Sequence, residues 1–410
     1  MRMTYRFPNT PKLKDTRLEI ENRNGRLRFA LSGPGSFLYR PMIWYYLKWH
    51  SRLGAITAKD GSNIYSMYIP PIPSEPHNRQ LESFLNIWVF KKRIPFAVTI
   101  SVTDKCQLNC VHCSVPQGAG KKEPLTLPEI KRVIAECISL GVTNITFTGG
   151  EPLLQDNLEE CLAAVPQDKA IAQVFTNAGG LDSERAASLK KAGASGIQIS
   201  LDSPDPAEHD RRRGREGLFD LVQKGVKNAL REGLLVGLST YATNESIAEK
   251  KLTRLSALAA EWGVHEVSVF DVIPTGRLLQ NTEVMITKMN RRLFLREANL
   301  LNKRYRGRPR IISQTWTNSG HGFARFIGCL AAFYQFHINA LGDFVPCDFT
   351  PLSFGNVRTE SVENLWQKLV GHPAFCKRRN DCRMQDPRFR EAYIDSIPPG
   401  SDLPYPIDCL

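Results

Sequence analysis

The sequence predicts an α/β protein whose core is a parallel sheet, curved or closed as in a barrel, and three observations carry that prediction. Six short apolar or β-branched runs, at residues 96–102, 144–148, 172–176, 196–201, 235–240 and 266–271, are separated by gaps long enough for a helix. In the first gap, Leu127, Ile130, Val133, Ile134 and Ile138 fall at helical spacing. With 410 residues, 42% hydrophobic and 23% charged, the chain can bury a main domain plus smaller modules. Strand then helix, six times over, implies a parallel sheet with helices outside it.

Residues 1–94 precede this pattern. Residues 17–31 alternate as in a hairpin, with Asn24-Gly25 as a two-residue turn. Residues 37–52 are aromatic and basic, a composition that either docks a helix on its own domain or lies in a membrane interface. Pro70-Pro71-Ile72-Pro73 reads as a stiff connector. Residues 95–310 hold the six units, and residues 311–410 a cysteine-bearing C-terminal module. Cys137 and Cys161 lie within helical patterns and read as small buried hydrophobes.

No run of about 20 apolar residues indicates a membrane span, and the first residues carry no apolar segment of the signal-peptide kind. The expected compartment is the cytoplasm, where ten cysteines point to metal ligation over disulfides. The net charge of +13 reads as a solvated basic surface, an anionic substrate or an anionic membrane contact. Nucleic acid is disfavoured because no recognition motif accompanies the charge.

Cys106, Cys110 and Cys113 follow the first strand at spacings of three and two residues. A three-cysteine loop can hold three irons of a four-iron cluster and leave the fourth without a protein ligand. Structural zinc, the alternative, normally takes four ligands from the protein. With Gly149-Gly150-Glu151-Pro152 after the second strand, residues 102–113 (VTDKCQLNCVHC) resemble the radical S-adenosylmethionine (SAM) superfamily. His112 departs from the Tyr or Phe more usual before the third cysteine.

The resemblance implies a partial (β/α)6 TIM-like barrel, open on one side, with an N-terminal α+β region and a C-terminal twitch or SPASM-like iron-sulfur domain. It further implies a SAM-binding [4Fe-4S] cluster, with Gly149, Gly150 and Glu151 at the methionyl amine. Asn177, Ser200 and Asp202 would hold the ribose, and Arg213 the cosubstrate carboxylate. Taken singly, Asn177, Ser200 and Asp202 read equally well as helix caps.

Cys329, then twelve residues, Gly342, four residues and Cys347 fit the opening half of the SPASM and twitch pattern, with a hairpin turning at Gly342. Cys376 and Cys382 complete four ligands for one auxiliary [4Fe-4S] cluster. Cys409 competes for the last place, and zinc suits four thiolates as well. The expected activity is reductive cleavage of SAM to a 5'-deoxyadenosyl radical that takes hydrogen from a substrate carbon. The electron donor would be of the flavodoxin or ferredoxin kind. Peptide maturation leads by resemblance; a lipid or other small-molecule cofactor precursor and a non-catalytic iron-sulfur carrier or scaffold are the alternatives.

Overall fold

A computed structural model describes residues 1–23, 25–34, 36–115, 123–313 and 328–410 of the chain. The N-terminal part opens with an antiparallel sheet of β1 (Arg2–Arg6), β2 (Arg17–Arg23) and β3 (Arg26–Ser32), in which Arg17 pairs with Ser32 and Arg23 with Arg26. The expected hairpin is therefore present and gains a third strand; Asn24 of its turn lies outside the described residues. Helix α1 (Ser36–Leu53) packs on β3, a short hairpin of β4 (Thr57–Lys59) and β5 (Ser62–Ile64) follows, and α2 (Glu75–Trp88) completes the layer. Ser74 caps α2 by accepting from the His77 amide. Tyr5, Leu18, Ile20, Ile43, Leu47 and Leu85 bury a core of their own between these elements.

The barrel runs from β6 (Ala97–Thr103) through β7 (Asn144–Gly149), β8 (Ile171–Thr176), β9 (Gly196–Ser200), β10 (Leu235–Ala242) and β11 (Glu266–Asp271), all parallel and in sequential order. Helix α3 (Leu127–Leu140) starts at a Thr126–Glu129 capping box and ends at Gly141, whose φ of 113° supplies the left-handed cap. Its Ile130, Val133, Ile134 and Cys137 are buried, as is Cys161 on α4 (Leu158–Ala163).

Two features go beyond the sequence pattern. The parallel run continues past the six strands: β12 (Arg310–Ser313) joins β11, and β13 (Gln335–Ile338) joins the far side of β6. β13 also forms the expected hairpin with β14 (Phe344–Val345), and Gly342, at φ 88°, lies in its turn. The cysteine module is thus built onto the barrel sheet and shares its apolar core.

The second feature corrects the reading of residues 70–73 as a connector. The Ile72 amide and carbonyl bond to Asn63, and the segment before it enters the barrel floor. There the Met67 amide donates to Glu266 (3.3 Å), the Tyr68 hydroxyl to Ser268 (3.3 Å), and Asn144 Nδ2 to the Tyr68 carbonyl (3.1 Å). Asn144 and Glu266 begin their strands, so the N-terminal part seals the end of the barrel opposite the strand C-termini.

Candidate active site

The C-terminal ends of the barrel strands open onto a cavity of about 530 Å³. Its wall includes all seven residues expected at the cosubstrate, Gly149, Gly150, Glu151, Asn177, Ser200, Asp202 and Arg213. Six of the seven expected cysteine ligands line it too: Cys106, Cys110, Cys113, Cys329, Cys347 and Cys382. Cys376 does not; it is exposed, with its sulfur 3.4 Å from the Pro373 carbonyl oxygen.

The first cysteine loop is held by its backbone. Helix α5 (Pro206–Arg213) ends with carbonyls that have no partner within the helix, and the loop supplies one for two of them. The Asn109 amide donates to Arg213 O (3.3 Å) and the Val111 amide to Arg212 O (3.1 Å). From the other side the Arg277 amide donates to Cys113 O (3.0 Å) and Arg277 Nη1 to Cys110 O (3.2 Å). The paired glycines meet the start of the same loop, where the Gly150 amide donates to Thr103 O (2.8 Å) and the Glu151 amide to Lys105 O (2.7 Å). A Cβ at Gly150 would stand 2.5 Å from the Lys105 carbonyl carbon and 2.6 Å from Asp104 O. The glycines are therefore demanded by the cysteine loop, whatever ligand lies beyond.

Glu151 proves to be a strut. Its carboxylate accepts from Thr176 Oγ1 (2.6 Å) and the Leu153 (3.1 Å) and Asn177 (2.8 Å) amides. Burial raises its pKa in spite of these bonds. Asn177 continues the strut: its Oδ1 accepts from Gln107 Nε2 (3.1 Å), and its Nδ2 lies 4.0 Å from the Cys106 sulfur.

Arg213 is likewise engaged within the protein. Its Nε and Nη2 both donate to Asp202, each at 2.8 Å, and the Asp202 side chain is fully buried. Burial pushes the Asp202 carboxyl upward, but Arg213 outweighs it and holds the pKa at about 2. His112 stands 3.7 Å from Asp202 and 4.0 Å, centroid to centroid, from the Tyr241 ring. Burial lowers its pKa to about 4, so it presents a neutral ring beside the cavity.

Cys329, Cys347 and Cys382 lie near one another in the cavity wall. The Cys329 amide is anchored on Arg379 O (2.8 Å). Sequence reasoning passed over Asp348, next to Cys347, which lines the cavity, pairs with His337 Nδ1 (3.2 Å) and accepts from Thr99 Oγ1 (3.4 Å). Adjacency to a candidate ligand was the available signal. Burial drives the Cys110 thiol up to about 11 and the Cys347 thiol up to about 12, so metal loading there must displace protons. Two sets of three thiols line one cavity, the first on a loop beside a glycine cradle, and such donors suit iron-sulfur clusters.

The sequence profile of the radical SAM superfamily matches residues 100–256, and that of an iron-sulfur cluster-binding domain, SPASM, matches residues 329–384. The chain belongs to the radical SAM superfamily. As a radical SAM enzyme of the SPASM and twitch branch it takes SAM and [4Fe-4S] clusters as cofactors. This radical SAM chain is 28% identical over 295 residues to an AdoMet-dependent heme synthase of Methanosarcina barkeri, covering 67% of this chain and 82% of the relative. It is 33% identical over 181 residues to a GTP 3',8-cyclase of Desulforamulus reducens, covering 43% of this chain and 55% of the cyclase. Among solved structures, Streptococcus suis SuiB bound to its precursor peptide SuiA shares the fold at a TM-score of 0.55 and 16% identity, over 86% of this chain and 87% of that one. AnSMEcpe with bound AdoMet does so at 0.52 and 15%, over 69% and 84%. Among the described residues no helix is long and apolar enough to cross a membrane.

Proposed function

We propose that this enzyme oxidises a substrate held between two clusters, one at Cys106, Cys110 and Cys113 and the other at Cys329, Cys347 and Cys382. The observation that carries the reading is the single cavity bordered by both cysteine sets. When bound, the first cluster and SAM supply a 5'-deoxyadenosyl radical, and the second cluster an acceptor for one electron. The chain's own groups position these parts. Glu151 and Asn177 brace the first loop, Ser200 offers an oxygen to the ribose, and Asp202, expected at the ribose, is instead occupied in holding Arg213. Arg213 has five N–H donors, and those not engaged by Asp202 remain for the SAM carboxylate.

The balance is that of a two-electron oxidation. Cleavage of SAM would need one electron from a flavodoxin- or ferredoxin-like donor, and the substrate would lose one hydrogen atom, then one electron and one proton, the proton going to solvent or a side chain. A cluster held by Cys329, Cys347 and Cys382 would supply the acceptor for that electron, with a carrier of the flavodoxin or ferredoxin kind as its final destination.

The substrate class we favour is a peptide, supported by the peptide-bound SuiB structure that shares the fold. A cofactor precursor of the tetrapyrrole kind is the second reading, favoured by the similarity to heme synthase over two thirds of the chain. The test is anaerobic incubation of the reconstituted protein with dithionite and SAM, alone, with candidate precursor peptides, and with iron coproporphyrin III. The proposal expects 5'-deoxyadenosine in all arms and a marked rise in one. No 5'-deoxyadenosine from fully loaded protein under several reductants would favour the carrier or scaffold. A rise with iron coproporphyrin alone would replace the peptide by the precursor.

A further inference from the structure

We propose that the outer face of α1 docks this protein onto an anionic lipid bilayer. Among the described residues the exposed large aromatic side chains are Phe37, Trp44 and Tyr45, and all three lie on this helix. Phe37 is 74% exposed, which leaves most of its ring in water. Phe37, Pro41, Trp44 and Lys48 follow steps of four, three and four residues, so they form one stripe, with Arg40 and Tyr45 beside it. The opposite face, Ile43, Tyr46, Leu47 and His50, is buried against the N-terminal sheet and α2. The helix is thus held by its own domain while presenting an aromatic stripe outward.

Charge selects the occupant. Helix α1 contains no Asp or Glu. Residues 1–94 carry sixteen Lys and Arg against six Asp and Glu, so +10 of the chain's +13 is gathered in this part. Arg40 is exposed beside the stripe, and Lys48 Nζ lies 3.8 Å from the Trp44 ring centroid. Aromatic rings that settle at headgroup depth, flanked by cations and free of acids, match an anionic interface. Nucleic acid would call for a groove along which bases stack, whereas these rings stand on the outer side of one helix.

The test is flotation of the full-length, cluster-loaded protein with vesicles of phosphatidylcholine alone or mixed equally with phosphatidylglycerol. Binding should require the anionic lipid and weaken as salt rises from about 50 to about 300 mM. Arg40→Gln with Lys48→Gln should weaken it about thirtyfold, and Phe37→Ser with Trp44→Ser by at least roughly tenfold. Both double variants should keep parental iron content and SAM cleavage. Quenching of the parental protein's tryptophan emission by brominated lipid provides a readout independent of any variant, and it should fall in Trp44→Phe. Absence of binding to anionic vesicles, or binding indifferent to both double variants, overturns the proposal. So does a vesicle-free dimer that Trp44→Ser dissolves, or RNA that binds the same face and displaces the vesicles.

Discussion

Replacing Gly150 by Ala tests whether the paired glycines serve the cysteine loop. The added Cβ would meet Lys105 O first and lie 2.5 Å from the Lys105 carbonyl carbon, against 3.4 Å for ordinary contact, so the loop must retreat by at least about 0.9 Å. That retreat strains the bond from the Glu151 amide to Lys105 O and carries Cys106, the next residue, with it. Overpacking against backbone costs about 1–3 kcal/mol and the lost bond about 1 kcal/mol. Together they amount to roughly thirty- to seven-hundredfold in affinity for the first cluster. Gly180→Ala is the control, since its Cβ would meet only the Leu153 side chain, at 3.9 Å. The assay is iron per chain after anaerobic reconstitution at limiting iron, with the electron paramagnetic resonance change on adding SAM and 5'-deoxyadenosine release. Gly150→Ala should lose the SAM-dependent change and most release, while Gly180→Ala keeps both. Parental iron and parental release in Gly150→Ala would refute the reasoning.

Reconstituted protein should hold about eight irons. Cys347→Ala or Cys382→Ala should lower this to about four and spare SAM cleavage. Cys376→Ala should remove much less, and equal losses from Cys376 and Cys382 would restore a four-cysteine set. Arg213→Ala should weaken SAM binding by about tenfold to more than a hundredfold and leave Asp202 as a lone buried anion. Arg213→Ala with Asp202→Asn should be more stable than Arg213→Ala alone, and a less stable double variant counts against the pair. Glu266, at the barrel floor, has its pKa raised by burial from 4.5 to about 7. The folded state therefore favours the protonated acid, whose contribution is fully present below about pH 4.5 and lost as pH rises through 7, by about 3 kcal/mol. Glu266→Gln should raise the melting temperature at pH 8 and change it little at pH 4.5; equal shifts at both would remove burial as the cause.

What the sequence reveals is mostly what is local. The six barrel strands and α3 show in the spacing of apolar residues, and motifs at strand ends pick out seven residues that all line the cavity. What it hides is choice of partner. Nothing local to Gln335–Ile338 says that it will pair with β6, and nothing local to Glu151 says that Thr176 and Asn177 will occupy its carboxylate. Arg213 and Asp202 were each legible as site residues, yet their mutual bond depends on α5 bringing its C-terminal end back to the segment just beyond β9. The segment around Met67 and Tyr68 reads as an approach to a proline-rich linker because its acceptors, Glu266 and Ser268, lie some two hundred residues away.

The pairing of β13 with β6 sets an order of events on the ribosome. Ala97 meets Gln335, so the outer edge of the first barrel strand waits for 238 further residues before its neighbour exists. At about 5–20 residues per second that interval lasts roughly 12–48 s. During it the chain carries an unpaired strand edge of alternating Val98, Ile100 and Val102 beside thiols not yet loaded with metal. Shortening the chain before β13 would make this nascent state permanent, so removal of the C-terminal module would strip the barrel of an edge as well as a cluster.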